Sequence, residues 1–341
     1  MTAIPFLTGS ASSQVTVAAA DPSSLKLVTW NLRYDSKPDN ITVQQTLNAL
    51  PDPLRQPTYL GRNMMNEQPW SSRRIRVAEK VLAGDVVLAG FQEALVRQVR
   101  DLAELLGTDW AWIGVGRDDG VSAGEYSPIF YKTTELKLIS WDSFWLSNTP
   151  LEPSKYPGAG SFRICTAAHF EMVSTSKRFT LLNTHLDDQS DAQRRLGASL
   201  LLTRARYEAF TTQGPVLVIG DFNSPAEDSD SGAYQIATGL LPPVAINATF
   251  AQKYAVPSTE LPGFKLLDLR GQAPRSRIST TFATFTGFSG PQDTSDWTRI
   301  DFVFGSGNRG WSADAYRVET ALSDDGVLAS DHRPVFADTS L

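Results

Sequence analysis

The chain has 341 residues, of which 41% are hydrophobic and 20% charged, so it is long and apolar enough to bury a sizeable core. Its net charge of −6 argues against a non-specific grip on a nucleic-acid backbone, which relies on a basic surface. No apolar run approaches the roughly 20 residues that span a bilayer, which argues against stable membrane insertion. The single cysteine, Cys165, excludes an intramolecular disulfide and is interpreted as a small core residue.

The first 24 residues differ in composition from the rest of the chain. Residues 1–24 are rich in Ala, Ser and Thr and lack the basic start of an intact signal peptide, so we interpret them as a flexible segment or the remnant of a processed leader. Both a cytoplasmic and a secreted protein fit this reading. Residues 25–341 contain no repeat and no linker, which favours a single domain. We expect a monomer, because no motif for a protein partner is evident.

Apolar runs alternate with stretches of helical periodicity along the chain, whereas residues 35–70 are rich in Pro, Asn and Gln and predict a long loop. Strands are predicted at 26–31, 85–93, 110–115, 127–131, 136–141, 162–171, 178–185, 216–221, 282–285, 299–304, 315–319 and 334–337. Helices are predicted at 73–84, 94–106, 191–210 and 230–238. The pattern indicates an α/β fold with helices outside two sheets.

The segment 216–224, VLVIGDFNS, is the most informative stretch of the chain. Its apolar run is typical of a buried strand and ends in Asp221 and Asn223, which point the same way because strand side chains alternate between faces. A carboxylate can accept a proton or hold a water, and a carboxamide can donate to a phosphate oxygen. Alone, this ending also fits an ordinary turn.

Five further apolar segments end in polar side chains. These endings are Trp30-Asn31, Gln92-Glu93, Thr184-His185, Ile300-Asp301 and Asp331-His332. Two of the three histidines of the chain occupy such endings, and the third, His169, has no acidic residue next to it in the sequence and is left as a core or surface residue. Converging carboxylates, carboxamides and imidazoles are the composition of a hydrolytic site built around a hard metal ion.

Taken in order, these residues resemble the motifs of the endonuclease/exonuclease/phosphatase superfamily, which has the deoxyribonuclease I-like fold. The resemblance rests on Asn31, Gln92-Glu93, Asn183-Thr184-His185, Gly220-Asp221-Phe222-Asn223, Ile300-Asp301 and Ser330-Asp331-His332-Arg333-Pro334. It covers about residues 25–338, and the stretches GVGRDDG and GEYSPIFYK resemble a microbial, deadenylase-like subgroup. It implies a four-layer α/β sandwich of two packed mixed β-sheets flanked by helices, with the site at one end.

The resemblance also implies roles for the metal-binding and catalytic residues. Glu93 is the best candidate for direct Mg²⁺ coordination, because a hard cation prefers carboxylate oxygen, with Mn²⁺ as an alternative ion. Asn31 and Asp331 resemble its neighbours in family sites and are expected to bind the metal directly or through water.

On the catalytic side, Asp221 with Asn223 is expected to orient and deprotonate the attacking water. His332, steadied by Asp301, is expected to bind a non-bridging oxygen or move a proton.

The remaining candidates are Glu125 and five residues for binding substrate, and for those five a surface ion pair or packing is an equally plain interpretation. Glu125 resembles the family carboxylate that orients the first histidine, here His185, which makes a second acid–histidine pair able to protonate the leaving oxygen. The candidates for binding substrate are Arg163, Arg117, Trp70, Arg73 and Tyr126.

The leading functional hypothesis is a Mg²⁺-dependent phosphoesterase in which an activated water attacks the phosphorus of a mono- or diester in line. The acidic net charge makes a small phosphorylated metabolite or a short oligonucleotide a better substrate than a long duplex. Two alternatives remain. The same scaffold can be recruited to a non-hydrolytic elimination or cyclisation in biosynthesis, or be kept as a non-catalytic binding protein.

Overall fold

The computed structural model describes residues 23–58, 66–290, 292–308 and 310–341. The segment 1–24, predicted to be flexible, lies outside the described residues except for its last two, and Ser24 already belongs to the first strand. The assignment of residues 25–341 to a single domain stays a prediction.

The described part of the chain contains twelve strands and seven helices. The strands are β1 (Ser24–Asn31), β2 (Leu88–Gln92), β3 (Trp110–Ile113), β4 (Ile129–Lys132), β5 (Leu136–Trp145), β6 (Ile164–Met172), β7 (Arg178–His185), β8 (Val216–Asp221), β9 (Leu266–Asp268), β10 (Asp301–Ser306), β11 (Ser312–Val318) and β12 (Val335–Ser340). The helices are α1 (Val43–Asn48), α2 (Trp70–Ala83), α3 (Val96–Leu106), α4 (Asp191–Thr212), α5 (Gly232–Ala237), α6 (Ala248–Lys253) and α7 (Leu269–Gln272).

The strands form two six-stranded mixed sheets. Sheet 1 has the order β11-β12-β1-β2-β4-β3, and sheet 2 has the order β5-β6-β7-β8-β10-β9. The pairs β1–β2 and β7–β8 are parallel, and the other pairs are antiparallel. Each sheet therefore has a central parallel pair whose carboxyl ends meet at one edge.

Apolar side chains on both faces of each sheet produce the layers. Leu27 and Leu88 of sheet 1 belong to one buried cluster with Leu181 and Leu217 of sheet 2. Helices α2 and α3 cover the outer face of sheet 1, and the long helix α4 covers the outer face of sheet 2. The predicted α/β sandwich of two packed mixed sheets flanked by helices is confirmed, and Cys165 is buried as predicted.

Two local predictions were wrong. Residues 282–285 do not form a strand, because only Phe285 makes isolated bridges, with Thr298 and His332. The predicted loop 35–70 contains the short helix α1, which starts at a capping box formed by Thr42.

A polar seam crosses the interface between the two sheets beside the functional edge. A Cβ atom on Gly90 of β2 would lie 2.4 Å from Cδ1 of Ile219 and 2.9 Å from Cγ of Asn183, so a side chain at this position would force the neighbouring groups of sheet 2 to shift. Asn183 of β7 donates hydrogen bonds to two backbone carbonyls of the sheet 1 side, at 2.9 and 2.8 Å, and accepts one of 2.7 Å from Gln92. These satisfied buried groups fix the separation of the sheets.

Among the described residues, no helix combines the length and the apolar character needed to cross a membrane.

Candidate functional site

The register of the strands brings the polar strand ends together. In the parallel pair β7–β8, His185 lies opposite Asp221, and in the antiparallel pair β8–β10 the same Asp221 lies opposite Asp301. In sheet 1, Asn31 at the end of β1 lies opposite Gln92 at the end of β2. Both sheets therefore deliver polar side chains to the same edge of the sandwich.

A cavity of about 690 Å³ opens at this edge. Of the residues singled out in the sequence, its lining includes Glu93, Arg117, Glu125, Arg163, His185, Asp221, Asn223, Asp331 and His332. Asn31 and Asp301 lie directly behind this wall, in hydrogen-bond contact with Asp221 and His332 respectively.

Asp301 and His332 form a buried acid–histidine pair. Nδ1 of His332 lies 2.9 Å from Oδ2 of Asp301, and Nε2 lies 3.6 Å from Oδ2 of Asp221. Burial alone lowers the pKa of His332, but the carboxylates of Asp301 and Asp221 outweigh it and raise the pKa to about 10. His332 is therefore an imidazolium at neutral pH, and its Nε2–H is a donor on the cavity wall.

Asp221 lies at the centre of the cluster. Its Oδ2 accepts a hydrogen bond of 3.0 Å from Asn31, and its Oδ1 accepts one of 2.9 Å from the backbone N–H of Asn223. Burial, together with the nearby charge of Asp301, raises the pKa of Asp221 to about 7. A carboxylate in this environment can exchange a proton near neutral pH.

His185, unlike His332, is a neutral imidazole at neutral pH. Burial, with the neighbouring cations Arg163 and Arg117, holds the pKa of His185 well below its usual range. Nδ1 of His185 lies 3.0 Å from Nη1 of Arg163, and a guanidinium can only donate. Nε2 lies 3.5 Å from Oδ2 of Asp221 and 3.1 Å from Nδ2 of Asn223, an amide nitrogen that also donates to the carbonyl of Leu186, so donor groups approach both nitrogens of the ring.

The predicted contact between Glu125 and His185 is wrong. Both oxygens of Glu125 accept hydrogen bonds from Arg117, at 2.5 and 2.9 Å, and Arg163 takes the expected place beside Nδ1 of His185. Arg163 is in turn held by Asp187 and Asp188, so its five donors are largely engaged within the wall. The physical reason is charge pairing, because Glu125 is paired with Arg117 and Asp187 with Arg163.

The group around Glu93 fits a hard divalent cation. Carboxylates of Glu93 and Asp331 line the same wall, and burial, with the charge of Glu93 nearby, raises the pKa of Asp331. The Nδ2 hydrogens of Asn31 point at Glu93 and Asp221, both at 3.0 Å, which is where negative charge converges. Asn31 Oδ1 accepts a hydrogen bond from the backbone of Arg33, so ligation through this oxygen requires rotation of the amide.

A second group, Asp221, Asp301 and His332, also has donor atoms within 4.8 Å of one another. It is a poorer cation site, because Nδ1 of His332 is engaged with Asp301 and an imidazolium has no free lone pair. The Glu93 side of the cavity is the better place for a metal ion.

Four residues of the cavity lining have a positive φ, a region that non-glycine residues seldom adopt. The φ values of Arg33, Glu93, Asn223 and Asp228 are 54°, 59°, 46° and 91°. Each such residue costs about 1 kcal/mol or more and persists where the surroundings enforce it. In Glu93 this conformation follows directly after β2 and directs the chain so that its carboxylate lines the cavity.

Two predicted substrate contacts, Trp70 and Tyr126, are wrong, because both side chains belong to the core of sheet 1. Trp70 is fully buried at the start of α2, and its Nε1 donates to Asp101 at 2.9 Å. Tyr126 packs against Trp112 and donates to a backbone carbonyl of the loop before it. Aromatic residues next to a cleft and in a core have the same sequence signature.

Arg73 is also not a substrate contact, because its guanidinium is fully buried among backbone carbonyls. Its acceptors are the carbonyl oxygens of Leu32, Arg33, Tyr34, Gln68 and Ala329. Burial lowers the pKa of Arg73 to about 10, so it stays charged at neutral pH. Arg73 ties the loop after Asn31 to the segment before Asp331.

Replacing Arg73 with lysine is expected to destabilise the protein. Arg73→Lys keeps the charge, but one ammonium cannot reach five carbonyls, so buried acceptors lose their partners. We expect the free energy of unfolding, measured in urea, to fall by about 2–4 kcal/mol. The exposed Arg55, changed to lysine in the same way, should alter it by less than about 0.5 kcal/mol. Equal effects of the two changes would contradict the assigned role.

Several residues that complete the cavity were not among those singled out in the sequence. They are Arg33, Tyr34, Ser161, Asp188, Pro225, Asp228, Ser229, Asp230, Phe285, Asp296 and Thr298. Most of them come from loops, and their only signal in the sequence is their position shortly after or before a polar strand end.

Comparison with known proteins is consistent with this site. The family described as the Endonuclease/Exonuclease/phosphatase family matches residues 28–332. No match was found among curated proteins.

Three solved structures illustrate the range of similar folds. An endonuclease/exonuclease/phosphatase from Bacteroides vulgatus is 27% identical, with a TM-score of 0.69 over 93% of this chain and 99% of that chain. A mannosyl-6-phosphatase from Bacteroides thetaiotaomicron is 24% identical, with a TM-score of 0.67 over 93% and 100%. D. rerio TDP2 in complex with a single-stranded DNA product is 13% identical, with a TM-score of 0.57 over 94% and 100%. The last two show the fold alone.

Proposed function

Because the chain belongs to the endonuclease/exonuclease/phosphatase family, we propose that it hydrolyses a phosphate ester with the help of a divalent cation, Mg²⁺ or alternatively Mn²⁺. Proteins of this family are typically phosphoester hydrolases that use divalent metals. The observation that carries the proposal is the position of Asp221, 3.6 Å from the histidine of the Asp301–His332 pair, in the wall of a cavity that is also lined by Glu93 and Asp331.

The described residues supply the proton transfer and the phosphate contacts. Asp221, with Asn223 beside it, takes a proton from the attacking water, whose oxygen forms a bond to phosphorus in line with the ester bond that breaks. The Nε2–H of His332 donates to a non-bridging oxygen and stabilises its growing charge. His185 is neutral and therefore a weak acid, so we let the leaving oxygen take its proton from solvent.

Glu93, Asp331 and, after rotation of its amide, Asn31 would hold the divalent cation, which would supply positive charge to the phosphoryl oxygens and the departing oxygen. Arg117 and Arg163 line the same wall, and each is paired with a carboxylate of the chain. They contribute positive charge near the substrate, and their pairing does not require a bound substrate.

The mouth of the cavity favours a small substrate with one phosphate. Asp228 and Asp296 line it, both are exposed, and among the described residues neither side chain has a hydrogen-bond or ion-pair partner. Unpaired carboxylates repel a second phosphate within a Debye length of about 8 Å and accept hydrogen bonds from hydroxyl groups. The mannosyl-6-phosphatase among the similar folds is compatible with this class of substrate.

Removing the charges of Asp228 and Asp296 is expected to weaken the preference for substrates with one phosphate over substrates with several. In the double variant Asp228→Asn/Asp296→Asn, kcat/KM for a short oligonucleotide relative to a sugar monophosphate should rise about fivefold, corresponding to about 1 kcal/mol. The gain should shrink as the salt concentration is raised. The control Asp109→Asn/Asp324→Asn makes the same change in net charge at exposed positions outside the cavity lining. An equal gain in the control would show that only net charge matters.

The proposed function is tested by turnover across a panel, with Mg²⁺, with Mn²⁺ and with EDTA. The panel holds p-nitrophenyl phosphate, bis-p-nitrophenyl phosphate, sugar phosphates, nucleotides, and short DNA and RNA. Metal-dependent release of phosphate or alcohol is the expected result. No turnover of any ester by the folded, metal-loaded protein would overturn the proposal.

A further inference from the structure

The Asp301–His332 pair joins the two sheets without a β-ladder between them. Asp301 is the first residue of β10 in sheet 2, whereas His332 lies shortly before β12 in sheet 1. The backbone hydrogen bonds of the sheets therefore do not fix the 2.9 Å distance between the two side chains. Some other part of the chain has to hold them in register.

The segment 284–286, Thr-Phe-Thr, contacts both members of the pair. The hydroxyl of Thr284, which is fully buried, accepts hydrogen bonds of 3.0 Å from the backbone N–H groups of both Ile300 and Asp301. Two successive donors on one hydroxyl fix the direction in which β10 begins. Thr284 therefore anchors the acid of the pair.

The same three residues reach the histidine side. The backbone N–H of Arg333 donates to the carbonyl of Thr284 at 2.6 Å, and the N–H of Thr286 donates to the carbonyl of Asp331 at 2.9 Å. Thr284 and Thr286 thus bracket His332 through its two chain neighbours.

Between them, Phe285 packs edge-on against the imidazole of His332, with ring centroids 5.0 Å apart and an interplanar angle of 63°. Phe285 is itself held by backbone hydrogen bonds with Thr298. The ring of His332 is therefore supported by Phe285 and by the hydrogen bond to Asp301.

We propose that Thr284 is a positioning residue, whose hydroxyl holds Asp301 at hydrogen-bond distance from His332 while Phe285 supports the imidazole. The inference rests on the proposed function for the catalytic meaning of the pair. The geometry of the Asp301–His332 pair does not depend on the proposed function, and it is measured separately by NMR.

The kinetic test compares two substitutions of one residue. Thr284→Val keeps the shape and removes the hydroxyl, and we expect kcat to fall at least about tenfold with KM changed less than about threefold. Thr284→Ser keeps the hydroxyl and should stay within about threefold of the original kcat. As a matched control, Thr180→Val removes a buried hydroxyl that has no hydrogen-bond partner among the described residues and lies outside the cavity lining.

The second readout needs no turnover. The proton on Nδ1 of His332 that is shared with Asp301 should give a downfield imidazole signal in the ¹H NMR spectrum, assigned by its loss in His332→Gln. We expect this signal to be lost or shifted in Thr284→Val and retained in Thr284→Ser and Thr180→Val. Retention of both kcat and signal in a folded Thr284→Val variant overturns the inference, as does an equal loss in Thr284→Ser.

The two readouts separate the two proposals. If the unsubstituted protein hydrolyses no ester, the proposed function fails, and the NMR comparison alone still decides the role of Thr284. If the protein is active and the signal does not respond to loss of the hydroxyl, the proposed function stands and the positioning role falls.

Discussion

Glu93→Gln is expected to lower kcat/KM by about 10³ and to weaken Mn²⁺ or Mg²⁺ binding by at least tenfold. Glutamine keeps the size of the side chain and one oxygen, which can still accept one of the two hydrogen bonds that Glu93 receives from Asn31 and from the backbone N–H of Tyr34. It removes the negative charge that a hard cation prefers as a ligand. The loss should therefore come from metal binding and not from a change of shape.

The measurements for Glu93 are titration of Mn²⁺ by electron paramagnetic resonance and steady-state kinetics at saturating metal. Glu104→Gln is a matched control, because Glu104 lies exposed on α3 and outside the cavity lining. Urea unfolding of both variants shows whether the fold is kept. A Glu93→Gln protein that binds Mn²⁺ as tightly as the original would remove Glu93 from the metal site.

His332→Gln is expected to lower kcat by about 10³ or more, because two effects add. The variant loses the cationic donor to the phosphate. It also leaves Asp301 and Asp221 without the imidazolium between them, and that charge is what counteracts the raised pKa of Asp221. A larger fraction of Asp221 is then protonated at neutral pH and cannot accept the proton of the attacking water.

The coupling can be measured with a double-mutant cycle. If Asp301 acts only through His332, then Asp301→Asn combined with His332→Gln should be little worse than His332→Gln alone. His169→Gln serves as the histidine control, because His169 is half-buried on β6, pairs with Glu208 and lies outside the cavity lining. Additive losses for Asp301 and His332 would show that the two residues act independently.

The parts of the site that could be predicted are those fixed by one strand at a time. A buried apolar run that ends in polar residues determines where its last side chains lie, as for Asp221 at the end of β8 and Asn31 at the end of β1. Once several such ends are placed on neighbouring strands, their meeting at one edge follows from the geometry of parallel pairs.

The parts that could not be predicted depend on which charged group meets which. A carboxylate such as Glu125 can bind a histidine such as His185, yet Glu125 pairs with Arg117 and His185 contacts Arg163. Nothing in the local sequence determines this choice of partners. Arg73 was misassigned for a similar reason, since its partners are backbone carbonyls from three separate segments.

The segment 284–286 illustrates a further limit. Its apolar residue and its threonines have the composition of a strand, but its hydrogen bonds go to residues 298–301 and 331–333 from both sheets and not to one neighbouring strand. A segment that bridges two parts of the chain in this way can be recognised only when the positions of both parts are known.

The seam at Gly90 and Asn183 has a consequence for how this scaffold can change over evolutionary time. The reactive residues are divided between two sheets, and the gap between those sheets is set in the interior, by a missing side chain on one and a fully bonded amide on the other. Loops at the cavity mouth, such as those carrying Asp228 and Asp296, have no part in that gap. A change in these loops would therefore alter which molecules enter the cavity without altering the distance between the reactive residues of the two sheets.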